Sequence, residues 1–276
     1  MRRFIIKTLL FALALFAVLL CIETCDSYIT RLYEKTVNGL EIYAARRNAG
    51  LHKKTRRLLL GDSVAHQLYD ENCASDSLIS LTCNQAVSMA GHYFLLHDFL
   101  DNNRDSLPDE IILFMHPCSM QNNLDRFAFQ YFLKPFWCKP YKEEATSALE
   151  CRVKQIPLWW TAQLPFVKNT NYSPVYELPA GDYTLVSPVS YDYLAKIDSL
   201  ARSAGIKFSI AAVPMRDDRQ TEITDYWQTA VERGELDCLP PALRQQYSDS
   251  FVFLPCSLFR DQAHFHKEQI PADYLH

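Results

Sequence analysis

Glycine is scarce, with 7 residues in 276, so each one placed at a turn carries information. Basic charge is not in excess: 28 Lys and Arg stand against 32 Asp and Glu, for a net charge of −4. Nothing in that balance suggests a nucleic-acid binder, which needs a basic face. Nine cysteines are present, but there is no C-x-x-C and no Cys/His spacing of a zinc site. Neither a structural metal nor a cofactor is therefore expected. Internal repeats and low-complexity tracts are also lacking. What remains is a globular composition, 49% apolar and 22% charged. The length suffices for one α/β domain whose core needs no metal or disulfide staple.

The N-terminus departs most from that composition. Arg2 and Arg3 precede an apolar run, Phe4 to Ile22, interrupted only by Lys7 and Thr8. At ~1.5 Å per residue such a run nearly crosses a hydrocarbon core of about 30 Å. The basic flank keeps the N-terminus cytoplasmic and the rest of the chain outside, periplasmic or at the cell surface. A cleaved signal peptide is the competing reading. No small-x-small cleavage site follows the run, however, and Leu20 is too bulky before Cys21 for a lipoprotein site. Residues 1–25 are expected to be a transmembrane signal anchor. Residues 26–56 are expected to be a helical stalk, on the spacing of Ile29, Leu32, Tyr33, Val37 and Leu40. In an exported domain Cys73–Cys83 or Cys138–Cys151 are near enough in sequence to pair, and buried free thiols are the equal alternative.

Beyond the stalk, strands alternate with helices. Arg57 to Leu60, Leu78 to Cys83, Glu110 to Met115, Lys207 to Val213 and Phe251 to Leu254 read as short apolar strands. Val64 to Asn72, Ala86 to Leu100 and Tyr191 to Ala204 read as helices, the last closed by Gly205. This alternation predicts a parallel sheet with helices on both faces over residues 57–276. Gln121 to Ser187 breaks it. That stretch is long, aromatic and proline-rich, with Pro135-Phe136-Trp137, Leu158-Trp159-Trp160 and Tyr172. It reads as an insertion at the carboxyl end of the third strand, where ligand sites form. The aromatics stack on a ligand or, more simply, pack the insertion onto the domain.

Two motifs carry chemistry. Leu58-Leu59-Leu60-Gly61-Asp62-Ser63 stops an apolar strand at a turn and opens a helix with Ser63. A serine there meets the backbone N–H groups that stabilise a developing oxyanion. The plainer reading of Ser63 is a helix N-cap. After the last strand comes Asp261-Gln262-Ala263-His264. An Asp and a His three residues apart share one turn, so His264 can take the Ser63 proton while Asp261 fixes its tautomer. Asp273 and His276 repeat the spacing at the extreme C-terminus, where chains fray, and His266 is a near neighbour.

Together these residues resemble the SGNH (GDSL-like) hydrolase and acyltransferase family, over roughly Arg57 to His276. The resemblance implies a three-layer α/β/α, flavodoxin-like fold. It makes Ser63 the nucleophile, with Asp261 and His264 completing the triad. In the family's second block, an Asn precedes a Gly whose N–H lines the oxyanion hole. Asn84 takes the first place and Gly91 follows later than in the pattern, so Ser88 or Met89 can present its N–H instead. The third block, Gly-x-Asn-Asp, is replaced here by His116-Pro117-Cys118-Ser119, so that either His116, Ser119 or Asn122 substitutes for the side-chain oxyanion donor or the hole relies on backbone donors. Losing such a donor costs about 10²–10³ in kcat, so this departure bears on turnover rather than on fold.

The chemistry implied is ester hydrolysis or O-acyl transfer through an acyl-serine. Membrane-anchored relatives, such as the alginate O-acetylation proteins, move acyl groups on or off envelope polysaccharides. That resemblance implies an acylated glycan or other envelope polymer as substrate and leaves room for a membrane acyltransferase as partner. A non-catalytic envelope protein that keeps the fold and binds glycan is the alternative. A phosphate-binding flavodoxin-like domain is disfavoured, because Gly61-Asp62-Ser63 is short and acidic and no Lys follows it.

Overall fold

Apolar runs with a period of two build a sheet that is buried on both faces. The computed structural model describes residues 1–23, 37–124, 130–137, 141–156, 159 and 181–270. In chain order the elements are α1 (Arg2–Glu23), α2 (Val37–Ala49), β1 (Arg57–Gly61), α3 (Ser63–Leu68), β2 (Leu78–Ser80), α4 (Ser88–Asn102) and β3 (Glu110–Met115). Then follow α5 (Gln130–Phe136), α6 (Ser147–Gln155), α7 (Pro188–Ser203), β4 (Lys207–Ala212), β5 (Met215–Arg216), α8 (Gln220–Glu232), α9 (Pro241–Asp249) and β6 (Phe253–Leu254).

The main sheet has the order β2-β1-β3-β4, all parallel, and β5 pairs with β6 in a second parallel ladder. Leu58 and Leu60 of β1 join Ile111, Leu113 and Ile210 in one large core, under α4 and α7. Leu59 points the other way. It packs with Phe114 against Val64, Ala65 and Leu68 of α3 and against Phe259 and Phe265 near the C-terminus. The chain runs from β1 out to β2 and returns on the other side of β1 as β3. The carboxyl ends of β1 and β3 therefore border a topological switch point, where open parallel sheets form their crevice.

The expected alternation is present, with differences. Helix α3 ends at Leu68, short of Asn72, because the Ser80 and Thr82 hydroxyls donate to the Tyr69 carbonyl at 2.7 and 2.6 Å and turn the chain away. Helices α8 and α9 lie in a stretch for which the sequence predicts no element. Within the insertion, Phe132, Phe136 and Trp137 are buried in the core, so these aromatics hold the insertion onto the domain. Trp160 and Tyr172 lie outside the described residues. Cys83 and Cys151 carry unbridged thiols, so neither suggested disulfide is made. Of the expected stalk, residues 37–56 are described: 37–49 is helical, with Ile42, Ala45 and Ala49 buried in the domain core, and 50–56 is not helical.

Helix α1 forms, and none of its described side chains is buried: Phe4, Leu10, Phe11 and Leu13 are all largely exposed. Among the described residues no helix is long and apolar enough to cross a membrane. Helix α1 is therefore an apolar helix with its described side chains exposed, and among the described residues the membrane-spanning helix expected from sequence is not found.

Candidate active site

The site begins at the sharp passage from β1 to α3. A side chain at Gly61 would run into the Phe114 carbonyl oxygen and Ala65 Cβ, so only glycine lets α3 approach β3 this closely. Asp62, buried, caps the helix: Oδ1 accepts from the Val64 and Ala65 N–H groups at 3.0 and 3.1 Å. Its Oδ2 accepts from His116 N–H at 2.7 Å and from the Ser119 hydroxyl at 2.6 Å. One carboxylate thus pins the end of β1 to the end of β3. Because Asp62 is the cap, Ser63 is not, and the Ser63 hydroxyl is free for other chemistry.

That hydroxyl lies 2.8 Å from His264 Nε2. His264 Nδ1 lies 3.0 and 3.1 Å from the two Asp261 oxygens. A carboxylate opposite Nδ1 needs a proton there, which leaves the Nε2 lone pair facing Ser63. Asp261 is itself ordered by the N–H groups of Ala263 and His264, at 3.0 and 2.8 Å. Burial by itself would raise the Asp261 carboxyl. Those two N–H bonds and the imidazole outweigh it and hold the group well below the usual carboxylate range. The histidine loop is tied to α3. Gln67, one turn beyond Ser63, donates to the Phe265 carbonyl and accepts from the Phe265 N–H, both at 2.9 Å. Phe259 and Phe265 stack at 4.4 Å and close the loop from behind.

The remaining candidates divide. His116 lines the cavity beside Ser63 and His264, and so does Ser119. Asn84, Ser88 and Gly91 do not line it. The Asn84 N–H is turned to the Glu41 carboxylate. Ser88 opens α4 with a φ of 56° and is buried. Gly91 lies inside α4, where a side chain would meet Val87 and the Phe136 ring. From that part of the chain it is Gln85 that reaches the cavity. His266 is exposed, and Asp273 and His276 lie outside the described residues.

The cavity holds about 450 Å³, and Arg219, Glu222 and Tyr226 form its far wall. Arg219 makes a two-pronged ion pair with Glu222 and reaches Gln262 at 3.3 Å. Sequence reasoning missed this wall because it missed α8. The buried Ile223, Trp227 and Ala230, at helical spacing, were the signal for it. A larger cavity of about 720 Å³ opens near the first residues of β1 and β2 and contains no nucleophile–base pair. Among the described residues no cluster of His, Cys, Asp and Glu is arranged to hold a metal ion. Comparison with protein-family models, with curated proteins and with solved structures returns no match.

Proposed function

We propose that the chain is a serine esterase or O-acyltransferase of the SGNH type, anchored by its N-terminal helix with the α/β domain outside the cytoplasm. The observation that carries this reading is the unbroken relay Ser63–His264–Asp261, with hydrogen-bond distances of 2.8 and 3.0 Å. In the reaction, Ser63 Oγ attacks an acyl carbonyl and its proton passes to His264 Nε2. The imidazolium is steadied by Asp261. The tetrahedral intermediate then collapses to an acyl-serine, and His264 returns the proton to the departing alcohol. Water or a sugar hydroxyl resolves the acyl-serine by the same steps in reverse.

The cavity favours a small acyl group and a polar alcohol. Val64 and Ala263 are the aliphatic residues of its lining, so a long acyl chain has little apolar surface to bury against. The wall of Arg219, Glu222 and Tyr226 offers charged and hydroxyl partners instead, which suits a hydroxyl-rich polymer such as an envelope glycan. The exposed apolar surface of α1 and the flanking Arg2 and Arg3 support the anchor.

Labelling of the detergent-solubilised full chain with a fluorophosphonate tests the reading. The wild type is expected to label, and S63A and H264A are expected not to. A folded wild type that takes no label overturns it, and the glycan-binding protein without catalysis takes its place.

A further inference from the structure

Acyl transfer needs donors for the oxyanion, and the side-chain donor expected after β3 is missing from this sequence. Three residues there are candidates, and their hydrogen bonds separate them. The Ser119 hydroxyl has one proton and two protein acceptors for it, Asp62 Oδ2 at 2.6 Å and Gln85 Oε1 at 3.2 Å. The Asn122 amide donates to the Gln85 carbonyl at 2.6 Å and does not line the cavity. His116 is different. Its Nδ1 accepts the Cys118 N–H at 3.1 Å, so in the neutral ring the proton resides on Nε2. No acceptor for Nε2 is present among the described residues, and His116 lines the same cavity as Ser63 and His264. Its backbone N–H is held by Asp62, the residue next to the nucleophile. Burial keeps the ring neutral, opposed by Asp62 and reinforced by Arg219 and His264.

We propose that His116 is a catalytic residue, a neutral imidazole whose Nε2–H donates a hydrogen bond to the oxyanion formed on the substrate carbonyl. The proposal rests on the acyl-transfer reading above. As the Ser63 Oγ–carbon bond forms, the carbonyl π pair moves onto oxygen, and the Ser63 proton goes to His264. Nε2–H of His116 meets that oxygen together with the Ser63 N–H, which as the first amide of α3 has no acceptor within the helix. On collapse the pair returns to the carbonyl, the bond to the leaving alcohol breaks, and His264 protonates the alcohol. His116 keeps its proton throughout, so it acts as an electrophile and not as a second base.

Two variants of similar reach separate this role from packing. His116→Gln places an N–H near the Nε2 position and His116→Met places none, while both lose the bond from Cys118. On p-nitrophenyl acetate with the full chain in detergent, H116M should lower kcat by about 10²–10³ with KM little changed, the loss expected of one oxyanion donor. H116Q should keep kcat at least ten times higher than H116M. Equal kcat values for the two, or a loss confined to KM, overturns the proposal while wild-type labelling leaves the acyl-transfer reading intact. A folded wild type that neither labels nor turns over removes that reading and this proposal with it.

Discussion

Asp62 accepts four hydrogen bonds with two oxygens, and all four partners are donors: three backbone N–H groups and the Ser119 hydroxyl. An acceptor-only carboxylate suits this cage, and an amide does not. Whichever way the amide of Asp62→Asn turns, its NH₂ faces a backbone N–H: those of Val64 and Ala65 at the Oδ1 position, or that of His116 at the Oδ2 position, where the Ser119 hydroxyl can turn to Gln85 Oε1. In a site this buried the mismatch should cost on the order of 3 kcal/mol, the penalty of leaving such groups unpaired. We therefore expect D62N to be as destabilising as D62A, against the usual rule that isosteric changes are mild. Urea unfolding of the two variants checks this, and a D62N midpoint close to wild type would refute it. The same residue shows how far the motif was legible. The Gly61-Asp62-Ser63 turn pointed to Ser63, whose hydroxyl the fold sets 2.8 Å from His264 Nε2. The second contact of Asp62, to residues 54 and 57 positions away, needed the β1–β3 pairing before it could be seen.

At the scale of elements, the β1–α3 unit depends on the missing side chain of Gly61. Its two obstacles are a strand carbonyl and the Cβ of Ala65, neither of which moves without shifting an element. Gly61→Ala should cost about 3 kcal/mol, the upper end of overpacking, and should weaken fluorophosphonate labelling by displacing Ser63. Unaltered thermal stability in G61A would sink the idea that this contact sets the turn. Strands β1, β3 and β4 were readable because each is a mostly apolar run, with β1 and β3 paired on both sides and β4 paired to β3 at the sheet's edge. Helices α8 and α9 were not. Three side chains of α8 are buried, and of α9 only Tyr247, too thin a stripe to stand out from a polar loop. The far wall of the cavity was lost with α8. The early end of α3 was hidden as well, since the hydroxyls that stop it come from Ser80 and Thr82, beyond the local window.

Over the whole molecule, the core beneath the site carries imidazoles that folding keeps neutral. Burial pushes His92 down to about 4, against the pull of Asp62 in the other direction, and among the described residues its Nδ1 has no partner. Burial lowers His116 as well. In the unfolded chain both rings return to about 6.5. Between about 6.5 and 4 the unfolded chain therefore binds protons that the folded chain refuses. Their contribution is whole above the unfolded value and is lost as pH falls toward the folded one. For His92 alone the shift from 6.5 to about 4 corresponds to on the order of 3 kcal/mol. Asp261 acts in the same direction at lower pH: its stabilisation is present above the unfolded carboxylate value, about 3.9, and is lost below it. Thermal unfolding should therefore shift to lower temperature from pH 7 to pH 4.5, and His92→Leu, which cannot titrate, should flatten that fall. Parallel pH dependences in wild type and H92L would mean that His92 takes up its proton without unfolding the core, and the buried imidazole would then not be what limits stability in acid.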